Sequence, residues 1–543
     1  MRKILKRYPA GVVSCLFCAM LSILFLLARR LTGGSFVFPL DDSYIHLAVA
    51  RSLALHHVWG IDGKTFASAS SSPGWTVLLS LSDLLFGEHV LNGLVLNALF
   101  GIAVLFAVDY GVRSFVPSAS AGLRYFVLIL VLLGTPLPSL TILGMEHVAQ
   151  TLSILLLVIL TVQILTLDPE LAVPRWMTVS LLLTAVLAGA IRYEAVFAIA
   201  PVCLALLLRR RTVLALLTAC CSAVTPVLFG LYSYQKSGLW LPFSVIVKAA
   251  HPSAGPLEFV VQSMQRTRHE GFLPVLILLA SLWIVRRRQL SFLWPSQLLL
   301  FFSFWIILLH LIFAPTGWLM RYEGYLYAVA IFSLLICSAE ILRWKGFVEG
   351  HRPSWLLMVP IGLLTLIVGH TVAVRAINGV VLPLQMSTDR YFEHIQVARF
   401  VASAYDHDTV TVNDIGALAY FTDAHLLDLI GLGSVEPAKA IHNKQPLTAA
   451  DVDQWAASEH SPIAILQTGW PTVLKMLPPN WIKVAEWTVP RNIQFYDRQV
   501  SFFATNPDAV KRICESLQRF PPPPQDKVVI SPACNALAGD DGK

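Results

Sequence analysis

Apolar runs long enough to cross a bilayer recur along the chain as far as Val380, and nothing else constrains the fold as much. A hydrocarbon core takes about 20 consecutive apolar residues per helix. Qualifying segments begin near Gly11, Val90, Tyr125, Val148, Trp176, Ala195, Thr212, Phe272, Phe292, Tyr325 and Trp355. They predict about 11 transmembrane helices. Two shorter apolar stretches, Ile45–Leu55 and Trp75–Phe86, fall below spanning length and read as helices lying at the interface.

Only 13% of residues are charged and 56% are hydrophobic, against roughly 25% charged in a soluble protein. A soluble fold cannot hide that much apolar surface. The net charge of +7 does not point to nucleic acid. The basic residues sit at helix ends, as membrane topology requires, and no basic run is interleaved with aromatics. The first apolar run ends in Ala28-Arg29-Arg30 without a small-x-small cleavage site, so it reads as a retained helix.

Short basic loops mark the cytoplasmic side. With the basic N-terminus inside, the same side receives Arg113 and Arg124, Arg175, Arg209-Arg210-Arg211, Arg286-Arg287-Arg288, and Arg343, Lys345 and Arg352. The opposite face receives Asp41-Asp42, Glu146-His147, Arg192-Tyr193-Glu194, the loop around Lys248 and His251, and Arg321-Tyr322-Glu323. An odd number of spans places everything after Val380 outside. Residues 381–543 are more polar and alternate strand-like runs (Thr409–Val412, Ile463–Leu466, Ile482–Val484, Ile493–Tyr496) with helical ones (Tyr391–Ala404, Ala449–Ala457). They predict an outer α/β domain of mixed sheet, ending in an extended or mobile proline-rich stretch from Phe520. Cys514 and Cys534 lie in this part and could pair in an oxidising compartment.

The candidate chemistry gathers on the outer face. Carboxylates at a membrane boundary are costly unless hydrated, paired or employed, which singles out Asp41 and Asp42. They could also ligate a divalent ion. His46 lies one turn from Asp42. Glu146, Glu194 and Glu323 are near helix ends, where a helix dipole favours an acid in the first turn. Arg192 and Arg321 beside them suit a phosphate. Residues two apart on a helix do not face each other, so each arginine is expected to reach another element, not its own Glu. Tyr322 fits an aromatic belt or a substrate contact, and Lys248 either a phosphate or a snorkelling role. Asp414 and Asp428 lie in or beside strand-like runs and read as turn caps first and as the border of a pocket second, and Gly431-Leu432-Gly433 lacks the third glycine of a dinucleotide loop. A phosphate-binding loop and a His-Glu-x-x-His motif are both absent from the sequence.

The first helix followed by Asp41-Asp42-Ser43-Tyr44-Ile45-His46 and then Ser70-Ser71-Ser72-Pro73-Gly74-Trp75 resembles the start of GT-C glycosyltransferases. Gly144-Met145-Glu146, Arg192-Tyr193-Glu194, Leu241-Pro242-Phe243 with Lys248, Arg321-Tyr322, Asp414–Phe421 and Leu427–Leu432 resemble later landmarks in order. The likeness is to bacterial members related to cell-wall arabinosyltransferases and protein mannosyltransferases. It implies a polytopic α-helical membrane enzyme over residues 1–380, with a first outer loop at about 32–88, and an extracytoplasmic domain over 381–543. It implies transfer of a sugar from a polyprenyl-phosphate donor to a glycan, lipid or protein acceptor at the bacterial plasma membrane. The catalytic role falls on Asp41 or Asp42, with His46, Glu146, Arg192, Glu194, Lys248, Arg321, Tyr322 and Glu323 toward substrate. A divalent metal is left open, with Asp41 or Asp42 as its ligand. The rival expectation is a transporter or flippase of lipid-linked saccharides.

Overall fold

The computed structural model describes residues 7–168, 170–249, 271–287, 291, 293–343, 355–489, 498–520, 522, 525–532 and 534. His251, Arg288, Lys345, Arg352 and the expected strand Ile493–Tyr496 lie outside the described residues.

Among the described residues, six helices are long and apolar enough to cross a membrane: Pro9–Leu31, Asn92–Phe115, His147–Thr166, Thr212–Ser237, Pro295–Phe313 and Gly362–Ala404. They make this a multi-pass membrane protein. Five of the expected spans are shorter apolar helices instead: Ala121–Gly134, Arg175–Ile191, Tyr193–Leu208, Phe272–Ile284 and Gly324–Glu340. His147–Thr166 is buried almost all round, which fits its continuous apolar sequence.

The two interfacial segments fold as helices Asp41–His56 and Pro73–Phe86. Ser72 caps the second by accepting from the Trp75 N–H, with Pro73 at the first helical position. The chain reaches the first of them from the Pro9–Leu31 helix through Gly33 and Gly34, whose φ of +66° and +91° suit glycine.

The helix Trp355–Arg390 runs on through a π turn, Tyr391–Ile395, into Gln396–Ala404. It ends at a sheet of six strands: β1 (Thr409–Val412), β2 (His425–Asp428), β3 (Ile463–Leu466), β4 (Ile482–Thr488), β5 (Gln499–Ala504) and β6 (Lys527–Ile530), in the order β2-β1-β3-β5-β4-β6. β1 pairs parallel with β2 and β3; β3–β5, β5–β4 and β4–β6 are antiparallel, so the sheet is mixed. β3 is buried along its whole length, as its Ile-Ala-Ile-Leu run demands. Part of the stretch after Phe520 takes the extended alternative and forms β6. Its Val528 and Val529 pair with Trp487 and Glu486, and the Cys514–Cys534 disulfide closes just beyond it.

One hydrophobic core joins the outer loop to the sheet. It contains Phe38, Tyr44, Leu47, Trp59 and Trp75 together with Val410, Leu418, Ile465, Phe502 and Trp487. Arg51 adds polar contacts, donating to the carbonyls of Tyr420 at 3.0 Å, Ala419 at 3.2 Å and Thr422 at 3.3 Å. It thereby satisfies the C-terminal end of the short helix Gly416–Phe421. His425 of β2 meets Asp62 of the loop at 2.8 Å.

Candidate active site

Asp41 and Asp42 occupy the first turn of the helix Asp41–His56. Successive residues of a helix point to different sides, so the pair serves two different neighbourhoods.

Asp41 is buried, and its carboxylate accepts from the Gly416 N–H at 2.5 Å and the Ala417 N–H at 2.8 Å. A side chain at position 416 would collide with the Asp41 carbonyl and carboxylate, so only glycine permits this approach. Asp414 and His394 complete a cluster with Asp41 in which one donor atom of each lies within 4.8 Å of the others. His394 Nε2 meets Asp414 Oδ2 at 2.5 Å, and Arg390 Nη1 stands 3.7 Å from Asp414. Burial, followed by the charge of Asp414, pushes the Asp41 carboxyl up to about 8, against the pull of His394 and Arg390. Burial raises Asp414 as well. Two carboxylates and an imidazole are suitable ligands for a divalent ion. The Arg390 guanidinium already brings a positive charge into the cluster. A cavity of about 30 Å³ beside it is lined by His394, Asp414, Glu393, Asn413 and Gln467, room for about two waters.

Asp42 is 29% exposed and accepts from Arg321 Nη2 at 2.7 Å. Arg321 Nη2 also donates to Tyr322 Oη at 2.9 Å, and Nη1 lies 2.9 Å from Met145 Sδ. Its Nε is buried without a hydrogen-bond partner. A thioether is a weak acceptor, so Arg321 keeps donor capacity for an anion. The segment before it is strained. Gly317, Trp318, Leu319 and Met320 have φ of +86°, +53°, +63° and +58°. Left-handed geometry costs a non-glycine residue roughly 1–2 kcal/mol, and such strain gathers at functional sites.

The remaining candidates divide clearly. His46 accepts or donates to Ser70 Oγ at 2.9 Å and stands 3.4 Å from Glu146. Glu146 is fully buried and pairs with Arg192 at 2.5 Å. Arg192 also binds its own neighbour Glu194 through both Nε and Nη2. Arg192 reaches another element through Glu146, as expected, but the expectation that it would not meet Glu194 is corrected. Arg192 is not helical: its φ of −156° and ψ of 141° are extended, between a helix ending at Ile191 and a 3-10 turn Tyr193–Ala195. The helical spacing rule has no force there. With Glu146 and Glu194 on it, Arg192 is a buried cation held by two carboxylates, the ion-pair alternative of its two expected roles. Arg321 does reach another element, as expected. Glu323 pairs with buried Arg375 at 3.1 Å and accepts from the Gly317 N–H at 2.9 Å, contacts that fix the strained turn. The backbone of Lys248 lies in a short helix, Phe243–Ala249, tied to the outer loop by the Phe243 N–H donating to Ser68 Oγ at 3.0 Å.

Asp428 caps its turn, accepting from Ile430, Leu432 and Gly433 at 2.9, 2.6 and 2.8 Å. Asp414 follows the second of its two readings: it borders a cavity and joins the Asp41 cluster. His394, Arg390, Arg375 and Arg51 were not singled out by sequence. The local signal was a pair of ionisable residues, Arg390 and His394, inside a long apolar helix, where such groups are functional by default.

Residues 385–503 match a family model described as a domain of unknown function (DUF8728). No curated protein matches the chain. Among solved structures, ArnT from Cupriavidus metallidurans in the apo state aligns at a TM-score of 0.53 with 15% identity, covering 92% of this chain and 98% of that one. ArnT bound to undecaprenyl phosphate aligns at 0.52 with 13% identity, covering 92% and 99%. The archaeal oligosaccharyltransferase AglB from Archaeoglobus fulgidus, with an inhibitory peptide and a dolichol-phosphate, aligns at 0.44 with 11% identity, covering 90% and 74%. The two ArnT alignments show that this chain has the GT-C fold along nearly its whole length.

Proposed function

We propose that this protein is a membrane glycosyltransferase that moves a sugar from a polyprenyl-phosphate donor to an acceptor hydroxyl of the cell envelope. The observation that carries this reading is the division of labour between two adjacent carboxylates within the GT-C fold. Asp41 sits in a low-dielectric cluster that raises its proton affinity, whereas Asp42 holds Arg321. Neighbouring acids driven into different electrostatic environments can take different roles in one reaction. The fold-mate ArnT has been seen with undecaprenyl phosphate, which supports a lipid-phosphate donor here.

In this mechanism the donor phosphate lies against Arg321, whose Nε and Nη1 can donate to it, with Tyr322 alongside. Asp42 orients the guanidinium. The acceptor oxygen attacks the anomeric carbon opposite the phosphate and inverts it. The glycosidic bond to the phosphate breaks, its electron pair leaving on the phosphate oxygen, where Arg321 stabilises the charge. The acceptor proton passes to Asp41. Arg390 balances the charge of the cluster, and His394 hydrogen-bonds Asp414. Should the reaction use a divalent ion, Asp41, His394 and Asp414 are the residues to hold it.

The membrane unit is residues 1–380, with the loop at about 32–88 carrying the carboxylates, and 381–543 forms an extracytoplasmic α/β domain that completes the Asp41 cluster and selects the acceptor. The location is the bacterial plasma membrane with a cytoplasmic N-terminus. The Cys514–Cys534 disulfide supports an oxidising compartment for this domain. A transporter or flippase is the weaker reading, because transporters place polar sites near mid-membrane at the interface of repeats. Here the polar clusters adjoin the α/β domain.

The test is transfer of radiolabelled sugar from a panel of polyprenyl-phosphate sugars to an envelope extract by purified protein in lipid. Label in an acceptor, lost in an Asp41→Asn/Asp42→Asn double variant, supports the reading. Movement of lipid-linked sugar across sealed vesicles without transfer would favour the flippase.

A further inference from the structure

A second site lies away from the carboxylates, at the C-terminal end of the Pro9–Leu31 helix. A cavity of about 490 Å³ opens there between the last turn of that helix, the turn that follows it, and the helix Gln396–Ala404. The volume falls within the roughly 300–1,000 Å³ of small-molecule sites. Its wall is apolar, from Phe25, Phe36, Ile395 and Phe421, and it carries two guanidinium groups, Arg29 and Arg399.

Both arginines are exposed, and among the described residues neither has a carboxylate partner. Arg29 donates through Nε to the Gly34 carbonyl at 2.9 Å and lies over the Phe25 ring at 5.9 Å. Arg399 lies over the Tyr391 ring at 5.6 Å. A helix C-terminus favours a cation, which accounts for Arg29 as a charge. It accounts for neither Arg399 nor the cavity they share. On the topology proposed above, Arg29 also sits on the outer face, against the usual placement of basic residues inside.

We infer that this groove binds an anionic bilayer phospholipid, its phosphate on Arg29 and Arg399 and one acyl chain along the apolar wall. An apolar slot at the end of a spanning helix, with paired cations at its rim, matches an amphiphile that has one anionic head. Asp41, Asp42 and Arg321 do not line the groove. The donor of the proposed reaction, whose phosphate must reach Arg321, is therefore not its occupant. The site stands independently of the glycosyltransferase reading.

The experiment is native mass spectrometry of the purified full chain, titrated separately with phosphatidylglycerol, phosphatidylcholine, undecaprenyl phosphate and inorganic phosphate. Wild type is expected to retain phosphatidylglycerol over phosphatidylcholine. An Arg29→Gln/Arg399→Gln double variant should lose roughly tenfold or more in phosphatidylglycerol affinity. Ala402→Trp, which fills the groove and keeps both charges, should lose it too at unchanged thermal stability. Retention of phosphatidylglycerol in both variants overturns the proposal. So does equal retention of phosphatidylcholine, preference for undecaprenyl phosphate, or competition by inorganic phosphate alone.

Discussion

The two sides of the Asp41–His56 helix start differ in the kind of order they have. On the Asp41 side everything is shut: two backbone N–H groups, Asp414, His394 and Arg390 surround a carboxylate that is 4% exposed. On the Asp42 side the carboxylate is 29% exposed, and its partner Arg321 has an unsatisfied Nε on a strained backbone. Covalent neighbours thus live in different solvents. Burial sets the proton affinity of one, and an ion pair fixes the geometry of the other. A site that must take a proton and also hold a phosphate needs both environments within a few ångströms, and one helix turn supplies them.

The largest structural effect is expected where both sides share a foundation. Arg192→Met leaves Glu146 and Glu194 buried without their cation, which costs about 3–5 kcal/mol. Thermal unfolding in detergent should show a collapse of stability whatever the donor concentration. If Arg192→Met is instead stable and fails only at low donor, Arg192 touches the phosphate and its structural assignment is wrong. Gly416→Ala breaks the Asp41 side alone. Its Cβ has no room against Asp41, so the 414–417 segment must shift. Turnover should fall by roughly ten- to a hundredfold as the Asp41 cluster opens, with donor KM little changed. Arg321→Lys breaks the Asp42 side alone. A lysine lacks the planar fork, so donor KM should rise by about tenfold or more, with a smaller loss of stability than in Arg192→Met.

The mildest test concerns the seam that keeps the two sides in register. Burial pushes Asp62 up, but the His425 hydrogen bond and the N–H groups of Thr65 and Lys64 outweigh it and hold the carboxyl at about 2. The same hydrogen bond raises His425. A raised histidine contributes stability below its ordinary value of about 6.5 and loses it as pH rises through the raised one. A depressed aspartate contributes above its ordinary value of about 3.9 and loses that as pH falls toward 2. The contact is therefore strongest between about pH 4 and 6.5. His425→Gln should flatten the alkaline arm of a melting-temperature profile, and an unchanged arm would remove His425 from the seam.

Much of this was legible in the sequence because its signals were local. The apolar runs announced the spans, the shorter apolar stretch Trp75–Phe86 announced a helix, and the β-branched run at Thr409–Val412 announced a strand. Asp41 and Asp42 stood out because charge near lipid is costly. What could not be read was pairing across distance. Gly416 and Ala417 are hundreds of residues from the carboxylate they bind, and neither glycine nor alanine carries a chemical signature. The Arg192–Glu194 contact was not foreseen because a spacing rule for helices was applied to extended backbone. β6 was missed because a proline run hid four strand residues whose partner, β4, lies forty residues earlier.

The central claim is that adjacent acids hold separate roles, and the direct test is sugar transfer by Asp41→Asn and Asp42→Asn, each alone, across pH. Wild-type kcat/KM should rise with pH through about 8, where Asp41 gives up its proton. Asp41→Asn should lose about 10²–10⁴ in turnover and the pH-dependent rise with it. Asp42→Asn should keep that rise and show its main loss in donor KM. If Asp42→Asn abolishes the rise while Asp41→Asn keeps it, the roles are reversed and the account is contradicted.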